Sequence, residues 1–470
     1  MNITLPIVIG YSNKYPYNMN ILLINPLLTQ RKPTSHNIGL SYIGAVLLKA
    51  GYEVELYDLE AFKYSEEEVK NKLRSTDADI ICIGTLVTGF NYIRWLCAEI
   101  KNIKPDLPII LGNSIATTIP ELVLKNITVD YLVIGEGEIT ILELIDAIKG
   151  NKPFSEVDGI AYIENNEIVF TKPRELIQDL DTIPYPAWHL FPLKEIYLKN
   201  KNPGSVLKRP IGDVSSTRGC PYNCTFCYHP FQNKKVRMHS GKRVIEEIKF
   251  LVENYNIRSI GFADDLFTLK KNRVYEICDL MDKENVKIKW RAACRVNLIS
   301  EDLLKRMKKS GCVELGIGVE SGSQIILDNI KKQTTVQQGE KALALCKKLN
   351  IHARTSYMIG NVGETRETVF ETVRFRKKYD PGMGGFFYAT PYPDTELYRY
   401  AVSNNLIKDE LSLIELYGEQ SEKILVNFTN MTNNELEQLK RDANKAIIKN
   451  YCMKYPIQGL YKVGKVVLKL

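Results

Sequence analysis

The sequence contains no long apolar run. None of its hydrophobic stretches approaches the roughly 20 residues that a membrane-spanning helix requires. The apolar segment at residues 3–9 is short, and no Lys or Arg precedes it, unlike the start of a secretory signal. These absences argue against a transmembrane or secreted protein, and we expect a cytoplasmic location.

The charge balance also lacks a strong excess of one sign. The 63 basic and 55 acidic residues give a net charge of +8 over 470 residues. An excess this mild suits solvated surfaces and is weak support for nucleic-acid binding. We therefore expect no nucleic-acid partner.

The ten cysteines lack the spacing of a disulfide framework. Three of them, Cys220, Cys224 and Cys227, lie within eight residues. The others are scattered singly, where cysteine usually behaves as a small buried hydrophobe: Cys82, Cys97, Cys278, Cys294, Cys312, Cys346 and Cys452. This distribution indicates a reducing compartment and one metal site.

Short apolar strands alternate with helical patterns in residues 1–150. The predicted strands are 21–25, 53–58, 79–84, 108–112 and 130–135, and the segments between them are 40–50, 66–73, 92–103 and a short turn at 120–124. This alternation predicts a flavodoxin-like, doubly wound parallel α/β sheet, whose ligand binds beyond the carboxyl ends of the strands.

A second alternation occupies residues 213–395 and predicts a partial (β/α)6 TIM-like barrel with its chemistry at the carboxyl ends of the strands. The six predicted strands are 213–217, 259–263, 289–293, 313–319, 354–359 and 385–389. Residues 151–212 between the two domains are interpreted as a linker, with a hairpin at 159–163 and 167–171. Residues 396–470 are predicted to form a helical C-terminal tail.

The clustered cysteines follow the first predicted barrel strand, in the motif Arg218-Gly-Cys-Pro-Tyr-Asn-Cys-Thr-Phe-Cys227. Thiolates are the preferred ligands of iron–sulfur clusters. Three of them can bind three irons of a 4Fe-4S cluster and leave the fourth open. A structural zinc site with His229 is the alternative, but zinc sites usually split their ligands into two pairs, and no second pair lies nearby.

This motif resembles that of the radical S-adenosylmethionine superfamily, and the resemblance covers about residues 213–395. Further segments that resemble family motifs follow in the same order at predicted strand ends: 262–265, Arg291 with Arg295, 316–322, 358–365 and 391–395. The resemblance implies that Phe226 and Ile359 lie near the adenine of S-adenosylmethionine, and that Asp264 recognises its methionine portion.

The same resemblance places Arg295 at the carboxylate of S-adenosylmethionine, and Glu320 and Ser321 at its ribose. Each segment alone is weak evidence. An Asp pair at a strand end also fits a helix cap, and Glu320 also fits a solvated surface position.

The first domain resembles the cobalamin-binding domain of one branch of that superfamily, on residues 39–43, 51–54 and 135–138. The resemblance implies that the cobalamin crevice is lined by Thr85, Gly112, Asn113, Gly135 and Glu136. The motif DxHxxG is absent after Asp58, so we expect cobalt to have no histidine ligand. A scaffold that has lost its cofactor is the alternative.

Together the resemblances imply a cluster that takes an electron from a flavodoxin or ferredoxin and cleaves S-adenosylmethionine to a 5′-deoxyadenosyl radical. That radical would attack an unactivated carbon of a small-molecule or lipid substrate. With methylcobalamin in the same cavity, the prediction is a class B, cobalamin-dependent methyltransferase. Cyclisation or rearrangement with the same cofactors is the alternative. A non-catalytic cobalamin carrier or sensor is disfavoured, because a carrier needs no S-adenosylmethionine site.

Residues 453–470 mix apolar side chains with Lys454, Lys462, Lys465 and Lys469. This composition suits peripheral contact with an anionic membrane. Ordinary packing is the favoured interpretation, since Gly464 and the short length weaken an amphipathic helix.

Overall fold

The computed structural model describes residues 19–200, 204–228, 236–380, 382, 384–418 and 423–457. The chain forms two compact units. The first contains residues up to 202 together with 237–257 and 410–418, and the second contains 203–236, 258–409 and 419–470. The four sequence ranges given above stay predictions.

The first unit is built on a seven-stranded sheet in the order β2-β1-β3-β4-β5-β6-β7. The strands are β1 (Asn20–Asn25), β2 (Glu53–Asp58), β3 (Ile80–Gly84), β4 (Ile109–Gly112), β5 (Tyr131–Val133), β6 (Ile160–Glu164) and β7 (Glu167–Phe170). Strands β1 to β5 are parallel. Runs such as Ile80-Ile81-Cys82-Ile83 are buried throughout, as expected for a sheet covered on both faces. The predicted flavodoxin-like core is confirmed.

The predicted hairpin forms, but it belongs to the first sheet. β6 pairs antiparallel with β5, and β7 pairs antiparallel with β6. Asn165 and Asn166 make the turn with φ of +50° and +65°, which asparagine tolerates well. Its place as a sheet extension differs from the linker interpretation, because pairing with β5 covers a strand edge that would otherwise be open.

The helices of the first unit lie between and after these strands. They are α1 (Ile38–Lys49), α2 (Leu59–Phe62), α3 (Glu66–Ser75), α4 (Phe90–Ile103), α5 (Ser114–Thr118), α6 (Pro120–Asn126), α7 (Gly137–Ile148), α8 (Gly241–Tyr255) and α15 (Glu410–Glu415). The segment predicted as a short turn at 120–124 is therefore a helix. Pro120 stands in its first turn, where the missing N–H costs nothing.

The second unit contains a curved six-stranded parallel sheet in the order β15-β14-β13-β12-β11-β8. The remaining strands of the chain are β8 (Ile211–Val214), β9 (Thr217–Arg218), β10 (Arg237–Met238), β11 (Ser259–Phe262), β12 (Lys289–Cys294), β13 (Cys312–Glu320), β14 (His352–Ile359) and β15 (Phe387–Tyr388). The predicted partial barrel is confirmed. Its first strand ends earlier than predicted, at Val214. The backbone N–H groups of Ser216 and Thr217 donate to the Asp264 side chain instead of to a neighbouring strand.

The helices of the second unit are α9 (Lys271–Lys283), α10 (Glu301–Lys309), α11 (Gln324–Asn329), α12 (Val336–Lys348), α13 (Arg366–Tyr379), α14 (Glu396–Ser403) and α16 (Asn433–Lys454). Within the described ranges, no helix has the length and apolar character to cross a membrane. Most of the C-terminal segment considered for membrane contact, residues 458–470, lies outside the described residues.

Candidate active site

The three clustered cysteines lie on one loop of the second unit, after β8 and β9. The Cys227 N–H donates to the Cys224 carbonyl at 3.1 Å and closes a turn. Between them, the Thr225 N–H donates to the Ile330 carbonyl at 3.1 Å, and the Thr225 carbonyl accepts from the Leu397 N–H at 2.8 Å. The loop is thus held to the end of α11 and to the start of α14.

The thiols of this loop are close enough to influence one another. Burial raises the pKa of Cys227 to about 12, and the neighbouring Cys224 and Cys220 thiols add to that rise. Burial also raises the pKa of Cys220, against which the Arg295 charge acts. Metal binding requires deprotonated thiols, and the cations Arg295 and Lys332 favour the thiolate form.

The donor set fits a cubane cluster. Among the described residues, no three His, Cys, Asp or Glu side chains converge on a point where a single ion could bind. A cubane needs no such convergence, because each cysteine binds a different iron. His229, the alternative zinc ligand, lies outside the described residues.

Asp264 binds the segment that precedes the cysteine motif. It follows β11, and its Oδ1 accepts hydrogen bonds from the backbone N–H groups of Ser216 at 2.6 Å and Thr217 at 2.9 Å. Its Oδ2 accepts from the Ser216 hydroxyl at 2.5 Å. Arg273 donates to the Ser216 carbonyl at 3.0 Å. The carboxylate therefore fixes the backbone that leads into the cysteine motif.

Two residues predicted to contact S-adenosylmethionine lie at the cysteine loop: Phe226 is part of it, and Arg295 lies against it. Nη1 of Arg295 lies 3.4 Å from the Cys224 sulfur, and its guanidinium carbon lies 3.5 Å from the centroid of the Tyr222 ring. Phe226 packs on an apolar cluster at α11 and the end of β14: Ile326, Leu327, Ile330 and Met358.

Glu320 is buried rather than solvated. Its Oε1 lies 2.9 Å from Nζ of Lys332, and its Oε2 accepts from the Ser356 hydroxyl at 3.2 Å. Its backbone has a φ of +65°, a conformation that costs about 1–3 kcal/mol for a residue with a side chain.

The remaining two residues predicted near S-adenosylmethionine are engaged in local structure. The Ser321 hydroxyl lies 3.0 Å from that of Thr372 and accepts from the Ser323 N–H. Ile359 is fully buried in β14, and its carbonyl accepts from the Ala389 N–H. Direct roles of both at a cofactor stay predictions.

Lys332 and Arg273 are site residues that the sequence did not reveal. Lys332 lies in a polar run with a second lysine, Lys331, which resembles a solvated loop. Arg273 lies in the first turn of an ordinary amphipathic helix. No spacing or motif identifies either residue, because each meets its partner only in the folded chain, 12 residues away for Lys332 and 57 for Arg273.

The residues predicted to line a cobalamin crevice lie at the carboxyl ends of β3, β4 and β5 in the first unit. Gly84 and Gly112 are register neighbours, so Thr85 and Asn113 follow adjacent strand ends. The Thr85 hydroxyl is buried and has no hydrogen-bond partner among the described residues. Gly135 has a φ of +81°, and a Cβ there would meet nothing within 4 Å. This edge has space and an unused polar group, and it therefore fits a bound cofactor.

Glu136, by contrast, is committed to a buried ion pair. Its Oε2 lies 2.6 Å from Nη1 of Arg237 and accepts from the Ile177 N–H at 2.8 Å. The same Arg237 nitrogen donates to the Ile177 carbonyl at 2.7 Å. These contacts give Glu136 a structural function in the first unit, and a contact with cobalamin stays a prediction.

The carboxyl ends of β1 and β2 carry a second polar cluster. Asp58 accepts from the Asn25 amide at 2.7 Å and from the Tyr197 hydroxyl at 2.8 Å. Burial raises the pKa of Asp58. His36 lies nearby with its ring 5.2 Å from that of Phe191, and burial lowers its pKa to about 4, so the ring is neutral.

Comparison with known proteins identifies the family. The Radical SAM superfamily model matches residues 214–376, and the B12 binding domain model matches residues 24–145. An uncharacterized methyltransferase from Pyrococcus horikoshii is 38% identical over 377 residues, which cover 80% of each chain. The chain belongs to the radical SAM superfamily. Its two matched domains imply a 4Fe-4S cluster, S-adenosylmethionine and cobalamin, as predicted.

Not every relative of this chain is named a methyltransferase. Anaerobic magnesium-protoporphyrin IX monomethyl ester cyclase from Rubrivivax gelatinosus is 28% identical over 369 residues, covering 77% of this chain and 65% of the relative. Among solved structures, the radical S-adenosylmethionine methyltransferase TsrM from Kitasatospora setae, with cobalamin and a [4Fe-4S] cluster bound, matches with a TM-score of 0.68. The two chains are 19% identical, and the match covers 82% of this chain and 75% of TsrM. This likeness supports the fold.

Proposed function

We propose that this radical SAM enzyme is a cobalamin-dependent methyltransferase that acts on an unactivated carbon of a small-molecule or lipid substrate. The observation that carries the proposal is the joint presence of the two matched domains in a chain 38% identical to a methyltransferase. Electrons would come from a flavodoxin or ferredoxin.

The residues of the second unit have two functions at the reacting centre: ligation of the cluster and positioning of the cysteine loop. Cys220, Cys224 and Cys227 would hold the 4Fe-4S cluster through deprotonated thiolates. Asp264 keeps the backbone before the motif in place through three hydrogen bonds. When bound, the cluster and S-adenosylmethionine supply a 5′-deoxyadenosyl radical, and cobalamin supplies a transferable methyl group.

The polar side chains around the cysteine loop would orient S-adenosylmethionine. Arg295 is a cation suited to a carboxylate. The Glu320 oxygens accept from Lys332 and Ser356, and their further lone pairs are suited to ribose hydroxyls. Phe226 is half-buried and presents an aromatic face suited to an adenine. In the first unit, the cobalamin would bind at the Thr85 hydroxyl and at the Gly135 backbone, beside which there is free space.

Cyclisation is the second candidate function. The 28% identity to a magnesium-protoporphyrin IX monomethyl ester cyclase supports it. That relative extends well beyond the matched region, which covers 65% of its length. Both candidate functions use the same cofactor residues. They differ in whether the methyl group of S-adenosylmethionine is transferred to the product.

The test is anaerobic reconstitution with iron, sulfide and cobalamin, followed by reduction and incubation with candidate extracts and S-adenosylmethionine carrying a CD3 group. A methyltransferase transfers the label to a product. It also forms S-adenosylhomocysteine along with 5′-deoxyadenosine, because two molecules of S-adenosylmethionine are consumed. Mass spectrometry measures all three species.

A cyclase would form 5′-deoxyadenosine and an unlabelled product without S-adenosylhomocysteine. That result would replace methylation by cyclisation. Omission of cobalamin is the matched control, since labelled product formed equally well without it would remove cobalamin from the reaction.

A further inference from the structure

A buried ion pair lies beside the cysteine loop, and one of its members, Lys332, belongs to none of the sequence motifs. Lys332 and Glu320 form it across 2.9 Å, and both side chains are less than a tenth exposed. Gly318 leaves the space for it, because a Cβ there would lie 2.3 Å from Glu320 Oε1 and 2.9 Å from Lys332 Nζ. A charge pair this deep is costly to desolvate.

The cation of this pair is directed towards the cysteine loop. Lys332 Nζ lies 5.8 Å from the centroid of the Phe226 ring, and Phe226 directly precedes Cys227. The Lys332 carbonyl accepts a hydrogen bond from Nη2 of Arg295, whose Nη1 lies 3.4 Å from the Cys224 sulfur. Two buried cationic side chains therefore lie near the loop, and the Arg295 guanidinium also binds the Lys332 backbone.

We propose that Arg295 and Lys332 form a cationic pair that raises the midpoint potential of the cluster held by Cys220, Cys224 and Cys227. The proposal rests on ligation of the cluster by these cysteines. One-electron reduction, with an external donor oxidised in turn, adds one negative charge at the loop. Nearby cations stabilise that charge, most strongly where water is excluded, and hydrogen bonds to the sulfurs act in the same direction. Glu320 opposes the effect of Lys332.

The experiment is a redox titration of the full-length, anaerobically reconstituted enzyme without S-adenosylmethionine, followed by electron paramagnetic resonance of the reduced cluster. Lys332→Met removes the cation at similar side-chain length, so the midpoint potential should fall. Arg295→Gln should also lower it. Glu320→Gln removes the opposing anion, so the potential should rise. The double variant Lys332→Met/Glu320→Gln should have a potential between those of the two single variants, because the two effects oppose each other.

Lys331 provides a matched control. It precedes Lys332 in the chain, its side chain is 55% exposed, and it pairs with Glu396 across 2.7 Å. Lys331→Met removes the same charge one residue away, where water screens it, and should leave the potential unchanged. General loosening of the loop would not produce shifts of opposite sign in Lys332→Met and Glu320→Gln.

Iron content and cluster signal, measured first in every variant, distinguish a failure of cysteine ligation from a failure of the cationic pair. A wild-type enzyme that assembles no cluster would overturn the cysteine ligation itself. With clusters assembled, the cationic pair is refuted by shifts of the same sign in the two single variants, or by equal shifts in Lys332→Met and Lys331→Met. Should Lys332→Met assemble no cluster, Glu320→Gln decides, and the absence of a rise would overturn the proposal.

Discussion

At the scale of single residues, the site depends on side chains that position the cysteine loop. The Asp264 carboxylate binds the backbone of Ser216 and Thr217, and its contact with S-adenosylmethionine stays a prediction. Arg295 follows β12 and contacts Cys224 and Tyr222 of the cysteine loop. The cysteines themselves could be predicted, because a loop of ten residues carries the whole donor set.

The first prediction concerns these three cysteines. A triple variant, Cys220→Ala with Cys224→Ala and Cys227→Ala, should lose the broad iron–sulfur absorption after anaerobic reconstitution. It should also lose reductive cleavage of S-adenosylmethionine. Cys452→Ala, a change at a free and partly exposed cysteine in α16, should retain both. A triple variant that kept both properties would contradict the assignment.

The second prediction concerns Asp264. Its replacement in Asp264→Ala leaves two backbone N–H groups without their acceptor, and each buried unsatisfied group costs about 1–3 kcal/mol. We expect a lower melting temperature and less iron bound after reconstitution. Asp264→Asn keeps an Oδ1 acceptor and should lose less of both. Equal losses in the two variants would show that charge, not the hydrogen bonds at Oδ1, is the essential feature.

At the scale of elements, both sheets depend on tight turns from helix to strand. Gly311 lies between α10 and β13 with a φ of +111°, and a Cβ there would lie 2.2 Å from the Ile288 carbonyl oxygen. Gly51 holds the corresponding position between α1 and β2 with a φ of +91°, but a Cβ there would meet nothing within 4 Å. An alanine at Gly51 would therefore add backbone strain alone, whereas an alanine at Gly311 would add strain and a steric clash.

The third prediction uses this pair. Gly51→Ala should cost about 1–2 kcal/mol, the strain of a left-handed backbone. Gly311→Ala should cost more, because the start of β12 must also move. Thermal melting of the two variants measures the difference. A smaller loss for Gly311→Ala than for Gly51→Ala would mean that the turn relaxes without disturbing β12.

At the scale of the whole molecule, two matched domains share one chain, and each presents its predicted site at the carboxyl ends of parallel strands. In the first unit, the unused Thr85 hydroxyl and the open Gly135 backbone fit a cofactor. His36 is the one histidine of residues 20–150, and it is buried against Phe191 and Tyr197.

The fourth prediction follows from that burial. The reconstituted enzyme should bind cobalamin, and electron paramagnetic resonance of the cobalt(II) form should show no hyperfine splitting from an axial nitrogen. His36→Ala should leave the spectrum unchanged. Splitting that is present in the wild type and lost in His36→Ala would identify His36 as a ligand. Failure to retain cobalamin would support the scaffold alternative.

The sequence by itself determined the two parallel sheets and the cysteine motif. Buried parallel strands are continuous apolar runs between helical patterns, and the motif is local, so neighbouring residues carry both signals. The place of the hairpin was not predictable, because strand pairing depends on which edge is open in the folded sheet.

Only the tertiary structure decided the charge partners. Lys332 and Glu320 are 12 residues apart, and Arg237 and Glu136 are 101 residues apart. Nothing in a linear pattern distinguishes a lysine that will be buried beside a carboxylate from one that stays in water, as Lys331 does. Burial and pairing arise only when separate strand ends and loops are brought together, because the chain then loses the water that would otherwise solvate each charge.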